Sequence, residues 1–141
     1  MFLTWESQLG ALIMAAVCGL AAWAGGRSQK VTAAVIATAW IASAALEDRR
    51  FVHPQYAIFL LDLVAAIAFG GLALLWRRGW LMAIAAFQLL TMATHIASIL
   101  DTRIGALAYM TAYLVWSYLL LAAMAWGGAT GFRERRAATG P

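Results

Sequence analysis

Residues 55–76 read QYAIFLLDLVAAIAFGGLALLW. One charged side chain, Asp62, interrupts this run, and no proline or basic residue does. At about 1.5 Å per residue, a helix of this length covers about 33 Å, enough for a bilayer core of roughly 30 Å. The run is rich in Leu and Ala and lacks in/out alternation. It is also too long for a barrel strand of about 10 residues. It reads as a transmembrane helix with a carboxylate inside it.

Outward from this segment, charges and turn residues cut out four more apolar stretches: Leu9–Ala24, Val31–Leu46, Trp80–Leu100 and Ile104–Trp126. Turn signals fall between them at Gly25-Gly26, His53-Pro54, Arg77-Arg78-Gly79 and Asp101-Thr102-Arg103. The expected spans are about 3–24, 29–46, 55–76, 80–100 and 104–126. The first two cores are short and reach full length when Glu6, Gln8 and Lys30 snorkel to the interfaces. The competing reading makes these two a shallow hairpin that does not cross. Ala22-Trp23-Ala24 has the form of a signal-cleavage site, but no Lys or Arg precedes the apolar run and Glu6 does, so the first helix reads as retained. The fold expected is all-α: an integral membrane bundle of five transmembrane helices in one domain, residues 1–132, with a basic cytoplasmic tail at 133–141. Connections are short, so successive helices should be antiparallel neighbours.

Composition agrees. Of 141 residues, 65% are hydrophobic and 11% charged, against about 25% charged in a soluble domain. The net charge of +4 fits basic residues held beside anionic lipid better than nucleic-acid binding. The single cysteine, Cys18, permits no internal disulfide.

Five crossings sort the polar ends into two sets. One holds the N-terminus and the 47–54 and 101–103 loops, with Arg49, Arg50 and Arg103. The other holds the 25–30 and 77–79 loops and the tail, with Arg27, Lys30, Arg77, Arg78, Arg133, Arg135 and Arg136. The richer side should be cytoplasmic, which puts the N-terminus outside and the C-terminus inside. Trp5, Trp76, Trp80 and Trp126 fall near span ends, as an aromatic belt requires.

Asp62 should lie about 10 Å inside the third helix. Its face also carries Ala65, Ala66, Phe69, Gly70 and Ala73, small enough in the main for a neighbouring backbone to come close. The fourth helix carries Gln88, Thr91, His95, Ser98 and Thr102 at gaps of three and four, which share one face. His95 falls at the depth of Asp62 on an adjacent antiparallel helix, so a carboxylate–imidazole pair is expected. Tyr109, Tyr113 and Trp116, with Ser117 beside them, form a face of the fifth helix, and Trp40, Ser43 and Glu47 recur at helical spacing on the second. The candidate polar pocket is thus Asp62, Gln88, Thr91, His95, Ser98, Tyr109, Tyr113, Ser43 and Glu47, open to the outside. An ionisable group at such depth is a functional candidate. The structural alternative is interhelical hydrogen bonding, which polar stripes on membrane helices also serve.

The usual catalytic signatures are missing. Gly25-Gly26 and Gly70-Gly71 lack the pattern of a phosphate loop. One cysteine rules out thiolate metal sites. Bis-histidine haem ligation would need both His53 and His95, and His53 sits at the interface. A metal site from His95, Asp62 and Glu47 is unspecific. No cofactor and no metal is expected, and the protein reads as not an enzyme.

The stretch His53-Pro54-Gln55-Tyr56, followed by Phe59 and Asp62, then Phe87-Gln88-Leu89, Thr94-His95, Tyr109 and Trp116-Ser117-Tyr118-Leu119, resembles small multi-pass membrane proteins that recur in alphaproteobacteria without an assigned activity. The resemblance covers about half the chain, from His53 to Trp126, and implies a bacterial inner-membrane location. The first functional expectation is an accessory subunit, or a binder of a lipid or other apolar ligand. Its partners would be membrane lipids, other membrane-protein subunits or further copies of itself, and not nucleic acid. The alternatives are a proton- or ion-coupled transporter using Asp62 and His95, a haem- or quinone-associated redox subunit, and a phage-type permeabilising protein.

Overall fold

The computed structural model describes residues 5–46, 56–101 and 103–139. Among them are five α-helices and no strand: α1 (Trp5–Ala24), α2 (Arg27–Leu46), α3 (Tyr56–Trp76), α4 (Gly79–Leu100) and α5 (Ala106–Thr139). Each packs on its neighbour in sequence, and α5 also packs on α1, closing a ring; α2 touches α5 across its middle. Because the ring has an odd number of members, one seam must be parallel. That seam is α1 with α5: Gly10 lies by Tyr118, Ala21 by Gly128 and Gly25 by Gly131.

Helical periodicity explains which faces turn inward. The buried residues of α3 are Ile58, Asp62, Ala65, Phe69 and Ala73, and those of α4 include Leu81, Ile84, Gln88, Thr91 and His95. Gaps of three and four keep each set on one stripe. Outside, large apolar side chains point away from the bundle: Leu12, Trp23, Ile67, Leu74, Leu100 and Leu107 are each more than 60% exposed. A soluble protein does not display this much apolar surface. Helices α2, α3, α4 and α5 are long and apolar enough to cross a membrane. The apolar stretch of α1, Gln8–Ala24, falls short of that length, so length and composition support four crossings where five are expected.

Several helix boundaries differ from the sequence reading, most of them by one or two residues. The helix expected to end near Trp126 continues to Thr139, 34 residues in all, through Gly127, Gly128 and Gly131. These glycines are contact surfaces, not breaks. A Cβ on Gly127 would lie 2.6 Å from the Trp80 ring, and one on Gly131 would lie 2.9 Å from Gly25 Cα. The close approach expected at Gly70 is absent, since a Cβ there meets nothing within 4 Å. The turn between α3 and α4 is made by Arg77, with φ 48°, while Gly79 is already the first residue of α4.

Trp80, expected in an aromatic belt, is 2% exposed because the bare backbone of Gly127 makes room for its ring. Its Nε1 has no hydrogen-bond partner. Trp23, at the same end on α1, faces outward instead. That end gathers the basic residues. Arg78 pairs with Glu134, Arg135 Nη2 donates to Gly25 O at 3.2 Å, and the Arg136 guanidinium lies 4.9 Å over the Phe132 ring.

Candidate functional site: a buried carboxylate–imidazole–phenol chain

Helices α3 and α4 form an antiparallel hairpin about the Arg77-Arg78 turn, and this fold-back sets Asp62 opposite His95. The Asp62 Oδ2 lies 2.8 Å from His95 Nε2, and Gln88 Nε2 donates to Asp62 Oδ1 at 2.9 Å and to the Asp62 backbone carbonyl at 3.2 Å. The second hairpin, α4 with α5, brings Tyr109 to the other side of the imidazole, with its hydroxyl 2.9 Å from His95 Nδ1. A continuous chain results: Gln88, Asp62, His95, Tyr109. Asp62 is 7% exposed and His95 4%, while Tyr109 is half-buried. Aromatic edges enclose the imidazole. Phe59, Tyr113 and Tyr109 stand 5.9, 5.8 and 5.6 Å from it, centroid to centroid, and Tyr109 stacks with Tyr113.

Beside Asp62 is a cavity of about 40 Å³. Its polar lining comes from all four surrounding helices: Ser43, Asp62, Gln88, Thr91, Tyr113 and Ser117. Trp40, Ile36, Phe69 and Leu120 also line it. Such a volume holds on the order of one to three waters, given the ~10–15 Å³ that one needs. It is far below the roughly 300 Å³ at which sites for drug-sized ligands begin. The hydroxyls of Thr91 and Ser117 donate to the Phe87 and Tyr113 carbonyls of their own helices, at 3.1 and 2.8 Å. What they offer the cavity is therefore lone pairs.

The structure brings together Asp62, Gln88, His95 and Tyr109 by hydrogen bonds, and Ser43, Thr91 and Tyr113 around the cavity. Ser98 stands apart, its hydroxyl donating to the His95 carbonyl at 2.8 Å. Trp116 Nε1 donates to Thr94 Oγ1 at 3.1 Å, a second tie between α4 and α5. Glu47, His53 and Thr102 lie outside the described residues. Both ring nitrogens of His95 are engaged, so an axial bond to haem iron would have to displace Asp62 or Tyr109.

A second polar cluster, unanticipated from the sequence, lies at the basic end. Gln29 Oε1 accepts from the Gly26 amide at 3.0 Å and from the Ser28 hydroxyl at 2.9 Å, and Gln29 Nε2 donates to the Gly127 carbonyl at 3.2 Å. Gln29 at the third helical position, reaching back to the N-cap amide, is one half of a capping box. The Gly26-x-x-Gln29 spacing carries that signal; the bond to α5 has no local signature.

The chain matches no family model, no curated protein and no solved structure.

Proposed function

We propose that this protein is a bacterial inner-membrane bundle that binds and releases a proton at the Asp62–His95 pair, in the service of proton-coupled transport. The observation that carries this reading is the unbroken chain from Gln88 through Asp62 and His95 to Tyr109. It supports two hydrogen-bond arrangements that differ by one proton. With Asp62 ionised, Tyr109 O–H donates to Nδ1, and Nε2–H donates to the carboxylate. With one proton more, the carboxyl donates to Nε2 and Nδ1–H donates to the Tyr109 oxygen, and the net charge rises from −1 to zero. Each side chain has a partner in both arrangements, so the proton can come and go without orphaning a buried group. The reading as a binder of a lipid or apolar ligand draws no support from this cavity, which is sized for water.

The proposed topology has five crossings, the N-terminus outside and the C-terminus cytoplasmic. Its support is the gathering at one end of Arg27, Lys30, Arg77, Arg78, Arg133, Arg135 and Arg136. For α1, it is the parallel seam with α5 that runs from Gly10 to Gly25.

Infrared difference spectra of the reconstituted protein between acid and alkaline buffer test the proton-exchange reading. A protonated-carboxyl band that appears in acid and is lost in Asp62→Asn is expected. A spectrum unchanged by that substitution removes the reading.

A further inference from the structure

Three apolar residues of the cavity lining lie toward the basic end from Asp62, Tyr113 and Ser43, at the level reached by Gln88 and just beyond Ser117. Phe69 is seven residues from Asp62 on α3, Leu120 seven from Tyr113 on α5, and Ile36 seven from Ser43 on α2. Each step is about 10 Å toward the basic end. All three line the cavity, and their exposures are 1%, 7% and 1%. Leu81, Ile84, Leu121 and Met124 are buried with them in the same core, at 2% exposure or less. The next buried polar groups toward that end are Thr32, Gln29 and Ser28 on α2. The hydroxyl of Thr32 is already committed to the Ser28 carbonyl at 2.8 Å. Among the described buried residues, the groups toward that end that could hydrogen-bond, besides this cluster, are the Cys18 thiol and the Trp80 indole N–H, and that N–H has no partner to hand a proton to.

The opposite side is different. Tyr109 lies three residues, about 5 Å of helix, from the start of α5, it is half-buried, and its hydroxyl meets the buried imidazole at 2.9 Å.

We infer that the Asp62–His95 pair is wired to one face of the membrane only: protons reach it past Tyr109, and the apolar layer of Ile36, Phe69 and Leu120 seals it from the basic face. This rests on the proton-exchange reading above and adds its sidedness. Water in the cavity extends the chain from Asp62 as far as Ser43 and Ser117 and stops at that layer. A narrow apolar constriction excludes water and so breaks a proton path without blocking it sterically. Movement of a proton to the second face then requires the layer to open, the condition a coupled carrier must meet.

The test uses the full chain in liposomes enclosing a pH-sensitive dye, with an imposed pH gradient and a potassium ionophore to balance charge. The parent protein should hold the gradient. Phe69→Ala, or the milder Leu120→Ser where the first does not fold, should leak protons at least about tenfold faster, because hydration of the layer restores a path. Adding Asp62→Asn should abolish that leak. Folded variants that hold the gradient as the parent does would overturn the seal, while the infrared band would still stand for proton exchange. A leak that survives Asp62→Asn would overturn the wiring through Asp62. A parent protein that leaks as fast as the layer variants would overturn sidedness itself.

Discussion

Asp62 can be replaced in two ways that separate its geometry from its charge. Asp62→Ala deletes the bonds to His95 at 2.8 Å and to Gln88 at 2.9 Å. Gln88 keeps the Asp62 carbonyl at 3.2 Å, and His95 keeps Tyr109 at 2.9 Å, so each is half-deprived and not orphaned. Interhelical hydrogen bonds in membranes contribute about 0.6–2 kcal/mol each, and a buried group left unpaired costs about 1–3 kcal/mol. Two such losses, each partial, sum to about 2–3 kcal/mol. Asp62→Asn is different: its amide oxygen still accepts from Gln88, and its amide N–H donates to His95 Nε2 once the imidazole proton moves to Nδ1. Only the charge-assisted share is lost, about 0.5–1 kcal/mol. Unfolding of the protein from mild micelles by a denaturing detergent, followed by helical circular dichroism, should rank parent, Asn and Ala in that order. Nitrogen NMR of the imidazole should show Nδ1 protonated in Asp62→Asn. Equal costs for Asn and Ala, or an imidazole protonated at Nε2 in the Asn variant, would refute the chain as drawn.

Gly127→Ala should destabilise the bundle by about 1–3 kcal/mol, the range for overpacking, because the new methyl sits 2.6 Å from the Trp80 ring. Gly71→Ala, where nothing lies within 4 Å, should instead gain about 0.5–1 kcal/mol of helix propensity in the same unfolding assay. Arg77→Gly should stabilise by about 1 kcal/mol, since it relieves the left-handed φ of 48° at the end of α3. The Arg78–Glu134 pair, with side chains 37% and 57% exposed, should show a coupling of no more than about 0.5 kcal/mol in a double-mutant cycle. Single cysteines in a Cys18→Ser background should react with an impermeant maleimide on whole cells at Arg103→Cys, and at Arg136→Cys only after the cells are opened.

The site was legible where pairing is local. In an antiparallel hairpin, partner numbers sum to twice the turn centre. Asp62 and His95 centre on 78.5, within the Arg77–Gly79 turn, and His95 and Tyr109 centre on Thr102. Span lengths and turn residues alone therefore predict this contact. Polar periodicity on α4 likewise singled out Gln88 and Thr91. What sequence could not give was whatever depends on closure of the ring. The course of α5 through Gly127 and Gly131 runs against propensity, and tertiary contact with Trp80 and Gln29 decides it. Trp80 looked like an interface residue because only the facing helix, remote in sequence, supplies the room that buries it.

The parallel seam also carries a history. Every other major contact joins helices adjacent in the chain, whereas this one joins residues about a hundred positions apart, Gly10 to Tyr118 and Gly25 to Gly131. As the chain emerges from the ribosome, α1 to α4 can line up as an open ribbon with α4 at its edge, where Asp62 already meets His95 and Gln88 but His95 Nδ1 still lacks its partner. Only α5, made last, supplies Tyr109 and covers that edge. Until it arrives, the imidazole at the centre of the finished protein has only one of its two hydrogen bonds. A chain stalled before α5 should therefore be the form that membrane quality-control proteases seize.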